Sequence, residues 1–228
     1  MIEVKNVVKS FDGFHALDGL TMTVPRGAIY GLVGPNGAGK STILRHLSGA
    51  YRHSGEILLE GSAIYENPQA KIRMCGIPDE LYYFGSANVR EMMRFYRHIY
   101  PHFDMERYEK LKEAFPAISE KQAIRRMSKG MQKQAAFWLA LCCNPQVLVL
   151  DEPVDGLDPV MRRQVWSLLM GDVAEHGTTV VVSSHNLREL EDVCDHVGIL
   201  SHGRMALERS LTELQGGTVK LQIAFRQE

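Results

Sequence analysis

Apolar residues recur along this chain with two different periods, and the period changes twice. In the first part, residues 2–8 alternate partly, residues 20–24 alternate cleanly between apolar and polar positions, and residues 28–33 are almost wholly apolar. Alternation is typical of half-buried strands, and a short unbroken apolar run is typical of a fully buried one. The last run leads into a glycine-rich turn and a predicted helix over 41–47, and residues 55–61 form another apolar run bounded by glycines. This part is therefore predicted to be β-rich, with one buried strand that feeds a helix.

A helical period follows in the middle of the chain. Between residues 87 and 143, apolar side chains recur at spacings of three and four, which places them on one face of a helix. The first such series is Val89, Met92, Met93, Tyr96 and Ile99. Apolar runs return at 147–150 and 180–182, with an amphipathic helix between them that ends near Gly177. The pattern predicts an α/β core interrupted by a mainly helical insertion.

We predict a single domain, residues 1–228, built from three parts. Its approximate parts are residues 1–80 and 145–215 for the core with a β-rich subdomain, 81–144 for a helical subdomain, and 216–228 for a short C-terminal tail. We expect the residues after about Gly203 to form a short tail. In this tail a helical piece precedes Gly216, and residues 219–225 form an added strand.

Composition narrows the functional classes. The 228 residues are 45% hydrophobic and 23% charged, an ordinary globular balance, and a net charge of −1 offers no concentrated basic surface for nucleic acid. The four cysteines show no metal-ligand spacing, so we interpret them as small core residues of a reduced chain. No run approaches the ~18 to 20 apolar residues that a membrane span needs. Work at a membrane would therefore require a separate membrane-spanning subunit.

The glycine-rich turn carries a phosphate-binding motif. Residues 34–41 read GPNGAGKS, a full match to G-x-x-x-x-G-K-[ST], between a predicted strand and a predicted helix. Glycines let consecutive backbone N–H groups converge on a phosphate, and the helix start adds partial positive charge. We predict that Lys40 bridges the β- and γ-phosphates, that Ser41 ligates Mg²⁺ and that Thr42 contacts the α-phosphate. The candidate phosphate-binding residues are Gly34, Asn36, Gly37, Ala38, Gly39, Lys40, Ser41 and Thr42.

Two later apolar strands also end in candidate chemical groups. Asp151 is predicted to accept a hydrogen bond from magnesium-bound water or from Ser41, and Glu152 to orient or deprotonate an attacking water. His185 follows the other strand. A lone histidine is usually structural, but parallel strands of such a fold end on the same edge as the phosphate loop, so we predict that His185 reaches a γ-phosphate.

A further anion site is predicted where a helix opens at Ser128. The start of a helix binds anions through its unpaired N–H groups. Within one chain this site is redundant beside the phosphate loop. The redundancy suggests that it serves the nucleotide of another molecule.

Taken together, the segments GPNGAGKST, SKGMQ, VLVLDEP, GLD and SSH stand in the order and spacing of the ATP-binding cassette family, and nearly the whole chain resembles a nucleotide-binding subunit of a bacterial ABC transporter. The resemblance implies an α/β fold with a RecA-like P-loop core, an antiparallel β subdomain and an inserted helical subdomain. It implies a head-to-tail dimer, with a second copy or a homologous cassette, that closes over two molecules of ATP with Mg²⁺. It also implies a cytoplasmic subunit on the inner face of the cell membrane, coupled through its helical subdomain to membrane-spanning subunits. Tyr82, Tyr83 and Phe84 are candidates for that docking surface.

Other site residues follow from the resemblance alone. Phe11 falls where the family places an aromatic ring against adenine; a simple core position at a strand end is the alternative. Asp158 matches the loop that crosses the dimer interface, with an Asp-Pro turn as the alternative. Ser128 and Gly130 match the signature segment that contacts the partner's nucleotide.

Two positions depart from the family pattern. Where the family usually carries a glutamine that senses magnesium, this chain offers Asp79, with Glu80 as a less favoured substitute. A carboxylate can contact Mg²⁺ but cannot donate amide hydrogen bonds. The usual signature LSGGQ is replaced by MSKGM at residues 127–131, where Lys129 either adds a cation near a γ-phosphate or points to solvent.

The leading interpretation is an ATPase that powers a membrane transporter, more similar to an exporter than to an importer. One alternative is a soluble cassette ATPase that acts as an assembly or structural factor. The helical block is too short for a chromosome-type member, and a second phosphate loop, typical of translation-type members, is absent from the sequence. A nucleotide-binding interaction module with little turnover is the third interpretation, favoured by Asp79 and Lys129.

Overall fold

The computed structural model describes residues 1–52 and 54–216, with side chains described as far as residue 213. The strands are β1 (Ile2–Phe11), β2 (Phe14–Val24), β3 (Ile29–Val33), β4 (Ser54–Leu59), β5 (Ser62–Ala63), β6 (Met74–Ile77), β7 (Val147–Asp151), β8 (Thr179–Ser184), β9 (His196–Ser201) and β10 (Arg204–Ser210). The helices are α1 (Lys40–Leu47), α2 (Pro68–Lys71), α3 (Val89–Ile99), α4 (Met105–Ala114), α5 (Lys129–Cys142), α6 (Pro159–His176) and α7 (Leu211–Gly216).

These strands form two sheets. The smaller sheet is antiparallel, with strand order β2-β1-β4-β5, and the larger sheet has the order β10-β9-β3-β8-β7-β6. In the larger sheet β3 is parallel to both β8 and β9, β7 is parallel to both β6 and β8, and only β10 among its described strands pairs antiparallel. Strand β6 is connected to β7 through α3, α4 and α5, and β7 to β8 through α6, as crossovers between parallel strands require. This is the mixed α/β architecture predicted from the alternation of strand and helix patterns.

The central strands of the larger sheet, β3, β7 and β8, are buried on both faces, which explains why they are nearly continuous apolar runs. In β3, Tyr30 and Leu32 pack with the smaller sheet and α1, whereas Ile29 and Val33 belong to the core that includes α5 and α6. Strands β3, β7 and β8 thus contribute alternate residues to two apolar cores. The smaller sheet has one buried face and one exposed face, which explains the alternation of residues 20–24.

The helical block lies between β6 and β7 and contains α3, α4 and α5. Asn88 caps α3 in a reciprocal pair with Glu91, the two sharing backbone-to-side-chain hydrogen bonds of 2.9 and 3.0 Å. The side of α3 predicted to be apolar is buried at its start, but Ile99 at its end is 42% exposed. Helix α5 is the best-buried element of the block, and Trp138 on it donates a 2.9 Å hydrogen bond to the Tyr108 carbonyl in α4.

The prediction of a tail after about Gly203 was wrong. Residues after this glycine form β10, which pairs with β9 and closes one side of the larger sheet. The helical piece before Gly216 is α7. The strand predicted at 219–225 lies outside the described residues. Strand β6 was also missed, since its four residues, Met74–Ile77, include a glycine and are shorter than a recognisable apolar run.

The four cysteines are free and buried, as predicted. Burial raises the pKa of Cys142 and that of Cys194 to about 12, so neither thiol ionises at neutral pH. Among the described residues, no helix is both long enough and apolar enough to cross a membrane.

Candidate active site

The register of the parallel strands brings the predicted site residues to one edge of the larger sheet. Val33, the last residue of β3, pairs with Ser184, and Asp151, the last residue of β7, pairs with Ser183. The phosphate loop, Glu152 and His185 each follow directly from one of these strand ends. The carboxyl edge of a parallel sheet is the usual place for a ligand in such folds.

The phosphate loop is fixed by close packing of its glycines. A Cβ on Gly34 would lie 2.4 Å from the carbonyl oxygen of Leu200, and one on Gly39, at φ 107°, would lie 2.6 Å from that of Ala16. Gly37 also has positive φ, but a Cβ there would meet nothing within 4 Å. Packing within the fold therefore requires glycine at positions 34 and 39. At Gly37 the space is open, so a ligand can approach the backbone of the loop.

Lys40 curls over this loop. Its ammonium donates to the carbonyls of Gly34, at 2.8 Å, and Pro35, at 3.3 Å, and the side chain is 6% exposed. Helix α1 begins at Lys40 with Gly39 at its N-cap and no side-chain cap, so the first N–H groups of the helix stay available to an anion. The loop thus places a cation next to the start of a helix.

Glu152 is held by groups from β8, from α1 and from the loop after β8. Its backbone has φ 45°, an uncommon conformation for a residue with a side chain, and its N–H donates to Ser183 Oγ at 3.0 Å. Its carboxylate lies 3.6 Å from Lys40 Nζ through Oε1 and 3.0 Å from His185 Nδ1 through Oε2. The structure therefore brings Glu152, His185 and the phosphate loop together.

Asp151 is buried beside Glu152 and has one hydrogen bond from a residue that the sequence did not indicate. The Ser183 hydroxyl donates a 2.6 Å hydrogen bond to Asp151 Oδ1. The Ser183 Oγ also accepts a hydrogen bond from the backbone N–H of Glu152. Ser183 thus ties the two acidic residues to β8. A serine buried at the end of an otherwise apolar strand was the signal for this role.

Ser128 and Gly130 open α5 at a separate place. Ser128 is the N-cap of the helix and accepts a 3.2 Å hydrogen bond from the N–H of Met131. A Cβ on Gly130 would lie 3.5 Å from the carbonyl oxygen of Gly156, an ordinary contact. Asp158 caps α6 by accepting from the N–H groups of Val160 and Met161, at 2.9 and 3.0 Å.

A pocket of about 450 Å³ lies between the starts of α5 and α6. Its lining residues are Ser128, Lys129, Gly130, Met131, Gln134, Gly156, Leu157 and Asp158. No residue of the phosphate loop is among them. The structure therefore separates the two anion sites that the sequence predicted.

Phe11 lies at the end of β1, where its ring is 42% exposed. It forms an edge contact with Tyr51, at 5.8 Å between ring centroids, and the Lys9 ammonium lies 5.0 Å from the Phe11 centroid. Tyr51 also accepts a 3.0 Å hydrogen bond from Arg45. The simple core position considered for Phe11 is excluded by this exposure. Tyr51 was missed because it follows α1 in a segment with no periodic pattern.

Asp79 follows β6, and its side chain is 54% exposed. Its carboxylate forms an ion pair with Lys133, at 3.4 Å between Oδ1 and Nζ. Lys133 itself is buried on α5 and also donates to the carbonyls of Glu152 and Asp155. The sequence analysis did not single out Lys133, although a lysine within the apolar series of α5 was a signal.

A family model described as ABC transporter matches residues 17–155. The chain belongs to the ABC transporter family. Its order of motifs and its two-sheet fold with a helical block are those expected of an ATP-binding cassette, and it is an ABC-type ATPase.

Named relatives agree with this membership. The cassette is 33% identical over 226 residues to the ABC transporter ATP-binding protein YtrB of Bacillus subtilis, covering 99% of this chain and 77% of that protein. It is 31% identical to the daunorubicin/doxorubicin resistance ATP-binding protein DrrA of Streptomyces peucetius, covering 94% of this chain and 66% of that one. A solved dimeric ATP-binding cassette, in a post-hydrolysis state with ADP and Pi, superposes with a TM-score of 0.83 at 20% identity, covering 92% of this chain and 99% of that chain.

Proposed function

We propose that this ATPase is the subunit that powers a membrane transporter, an exporter, and that ATP drives closure of a head-to-tail dimer. The observation that carries the proposal is the separation of two anion sites. The pocket at the start of α5 shares no lining residue with the phosphate loop, Glu152 or His185. One chain therefore offers two different halves of a nucleotide site, and a second copy facing it in the opposite direction would complete both.

In the half built around the phosphate loop, this chain would bind the nucleotide and activate water. Residues of the loop, with Lys40, Ser41 and Thr42, would hold the phosphates, and Phe11 would stack on the base. Glu152 would accept a proton from the attacking water or orient it. His185, whose Nδ1 lies 3.0 Å from that carboxylate, would fix the carboxylate and contact the γ-phosphate. A bound phosphate would accept hydrogen bonds from the Lys40 ammonium in place of the two loop carbonyls that accept them in this structure.

Mg²⁺ fits this donor set. Protein sites bind this ion through one or two carboxylates together with substrate phosphates, rather than through a cage of side chains. Ser41 and Asp151 are the candidate ligands that we retain, and the ion would neutralise charge on the phosphates. Asp79, the third ligand predicted from the sequence, forms an ion pair with Lys133 in this structure.

In the other half, Ser128, Gly130 and Asp158 would face the nucleotide of the partner copy. A Cβ at Gly130 would make only an ordinary contact, so packing within this chain does not require a glycine there. A glycine there lets another molecule approach the backbone at the start of α5. The hydroxyl of Ser128 and the N–H groups of the first helical turn would contact the γ-phosphate.

The helical block presents a surface for a membrane-spanning partner. Tyr82 is 85% exposed and Phe84 52%, and the Phe84 ring packs edge-on against Phe95, which is itself 41% exposed. Tyr83 instead turns inward and donates to the carbonyl of Gln132 at 3.2 Å. Exposed aromatic patches of this kind mark interaction sites. We propose that this patch joins the cassette to its partner on the inner face of the cell membrane.

Export is the direction that the relatives favour. The DrrA protein is described by resistance to daunorubicin and doxorubicin, and resistance through a transporter requires removal of the compound. An assembly factor would have no membrane partner. A rate of ATP hydrolysis that rises when the cassette is reconstituted in vesicles with a membrane-spanning protein would support transport. A rate that no membrane-spanning protein changes would favour the assembly factor.

The test of the dimer is the substitution Glu152→Gln, which keeps the size of the side chain but removes its negative charge. We expect loss of ATP turnover with retained ATP binding, and an ATP-dependent shift from monomer to dimer in size-exclusion chromatography. Glu175→Gln, at an exposed position of α6, is the matched control. A Glu152→Gln protein that turns over ATP at the wild-type rate would refute the catalytic assignment, and one that stays monomeric with ATP would refute dimer closure.

A further inference from the structure

Lys133 is a buried lysine whose ammonium contacts oxygens from two segments outside its own helix. It lies on the second turn of α5 and is 6% exposed. Its Nζ donates to the carbonyls of Glu152, at 2.7 Å, and Asp155, at 3.0 Å, and lies 3.4 Å from Asp79 Oδ1. A buried ammonium is tolerated only when its three donors are used, and here each has an oxygen in reach. The position is therefore specified by these three partners.

The two carbonyls belong to the turn that carries the catalytic carboxylate. The N–H of Asp155 also donates to the Glu152 carbonyl, at 3.3 Å, so this turn closes on the same oxygen that Lys133 contacts. Glu152 has φ 45°, a conformation that is unfavourable for a non-glycine residue and persists only where its surroundings hold it. Ser183 holds the N–H side of this residue and Lys133 holds the carbonyl side.

The same lysine connects the two halves of the nucleotide site. Ser128, the cap of α5, stands five positions before Lys133 on the same helix, and Asp158 follows the turn that begins at Glu152. A displacement of the start of α5 by a partner's nucleotide would therefore be transmitted through Lys133 to the backbone of Glu152.

We propose that Lys133 is a positioning residue for ATP hydrolysis. It holds the 152–155 turn in the conformation that aims the Glu152 carboxylate at Lys40 and His185, and it links this turn to the helix that faces the partner copy. Asp79 is its outer anchor; because this carboxylate is 54% exposed, it contributes less than the two carbonyls. The inference rests on the proposed catalytic role of Glu152.

The contact pattern predicts a specific kinetic signature. Lys133→Met keeps the apolar stem and removes the three donors, which frees the turn while leaving the phosphate loop intact. We expect kcat to fall by about 10-fold to 100-fold, and both KM and the affinity for a fluorescent ATP analogue to change by less than about threefold. Lys133→Arg keeps the charge and several donors, so it should recover part of kcat. Lys121→Met, at an exposed position of the helical block, is the control.

Asp79 variants separate an anchor from a metal ligand. Asp79→Asn should lower kcat slightly at saturating Mg²⁺, with the same Mg²⁺ concentration for half-maximal turnover as the wild type. A several-fold rise in that concentration would instead make Asp79 a metal ligand and overturn its role as the anchor of Lys133.

Thermal unfolding is measured for every variant. If Lys133→Met does not fold, Lys133→Gln, which keeps donors for the carbonyls without the charge, takes its place with an intermediate loss of kcat expected. An unchanged kcat, or an affinity that falls together with kcat, overturns the positioning role. Glu152→Gln is assayed in parallel. Wild-type turnover in Glu152→Gln would refute the proposed function itself. Loss of turnover in Glu152→Gln together with a wild-type kcat in Lys133→Met would refute only this inference.

Discussion

The two regions proposed to bind one nucleotide differ in how far this chain completes them. Around the phosphate loop, charged side chains find partners from other elements, as in the contacts that join Lys40, Glu152 and His185. At the start of α5, the polar groups of Ser128 and Asp158 only cap their own helices. The comparison shows one region organised within a single chain and another organised to meet something outside it.

An orphaned polar atom reinforces this difference. Gln134 lines the pocket at the start of α5 and is 7% exposed, and its Oε1 has no hydrogen-bond partner among the residues that the structure describes. An unpaired buried oxygen is costly, and native proteins rarely retain one without a reason. A partner that enters this pocket with a donor would satisfy it.

The largest effect is expected from Ser128→Arg, which blocks the second region and leaves the first intact. We predict loss of turnover by about 100-fold or more, the scale seen when a donor to the reacting group is removed, with ATP binding to the single chain retained. Steady-state hydrolysis and equilibrium binding of an ATP analogue measure the two. Ser119→Arg, exposed between α4 and α5, controls for the added cation. If Ser128→Arg lowered the affinity for the ATP analogue as much as the rate of hydrolysis, the start of α5 and the phosphate loop would not be separate regions.

Mixing two inactive variants breaks or confirms the comparison most directly. Glu152→Gln inactivates the first region and Ser128→Arg the second, so a mixed head-to-tail dimer has one site with both defects and one intact site. We predict that turnover returns on mixing, up to about a quarter of wild type, because about half of randomly paired dimers are mixed and each has one intact site of two. Each variant alone, at the same total concentration, is the control. No recovery at any ratio would contradict composite sites.

The sequence predicted which neighbouring residues form the site better than it predicted the contacts that hold them, for a physical reason. The phosphate-loop residues are consecutive in sequence, and so are Asp151 and Glu152. Because both segments follow strands of one parallel sheet, whose ends lie at the same edge, the sequence predicts that they lie close together. Lys133 and Ser183 were missed because their roles depend on contacts across 19 and 32 positions of the chain. Sequence patterns record periods and neighbours, whereas such contacts arise only when the elements pack.

The fold shows the same limit. The periodic segment of α3 and the end of α6 were predicted within a few residues of their observed positions, whereas no start was predicted for α6. Strand β6 was not predicted because its four residues are too few for a recognisable run, and β10 was not predicted because a half-exposed edge strand has no continuous apolar run.

An intermediate effect is expected at the base site of the first region. Phe11→Ala removes the exposed ring that we assign to adenine, and such a loss typically costs about 1 to 3 kcal/mol of binding free energy. Titration with an ATP analogue should therefore show clearly weaker affinity, with kcat at saturation little changed. Phe14→Ala is the matched control, since Phe14 pairs with Phe11 across the same hairpin and is 64% exposed. If both substitutions weaken binding equally, the hairpin as a whole and not the Phe11 ring is responsible.

The smallest effect is expected from thiol modification, which tests whether α5 is rigid enough to join the two regions. Cys142 ends this helix and Cys194 lies behind β3, and burial raises both pKa values to about 12. At pH 8 only about one thiol in 10,000 of this kind is ionised, and the thiolate is the reactive form. We predict that iodoacetamide leaves both residues unmodified in the native cassette, with unchanged turnover, and alkylates both in denaturant, as read by peptide mass spectrometry. Alkylation of Cys142 in the native protein would show that α5 opens at its end, and a helix that opens could not transmit a displacement from Ser128 to the turn of Glu152.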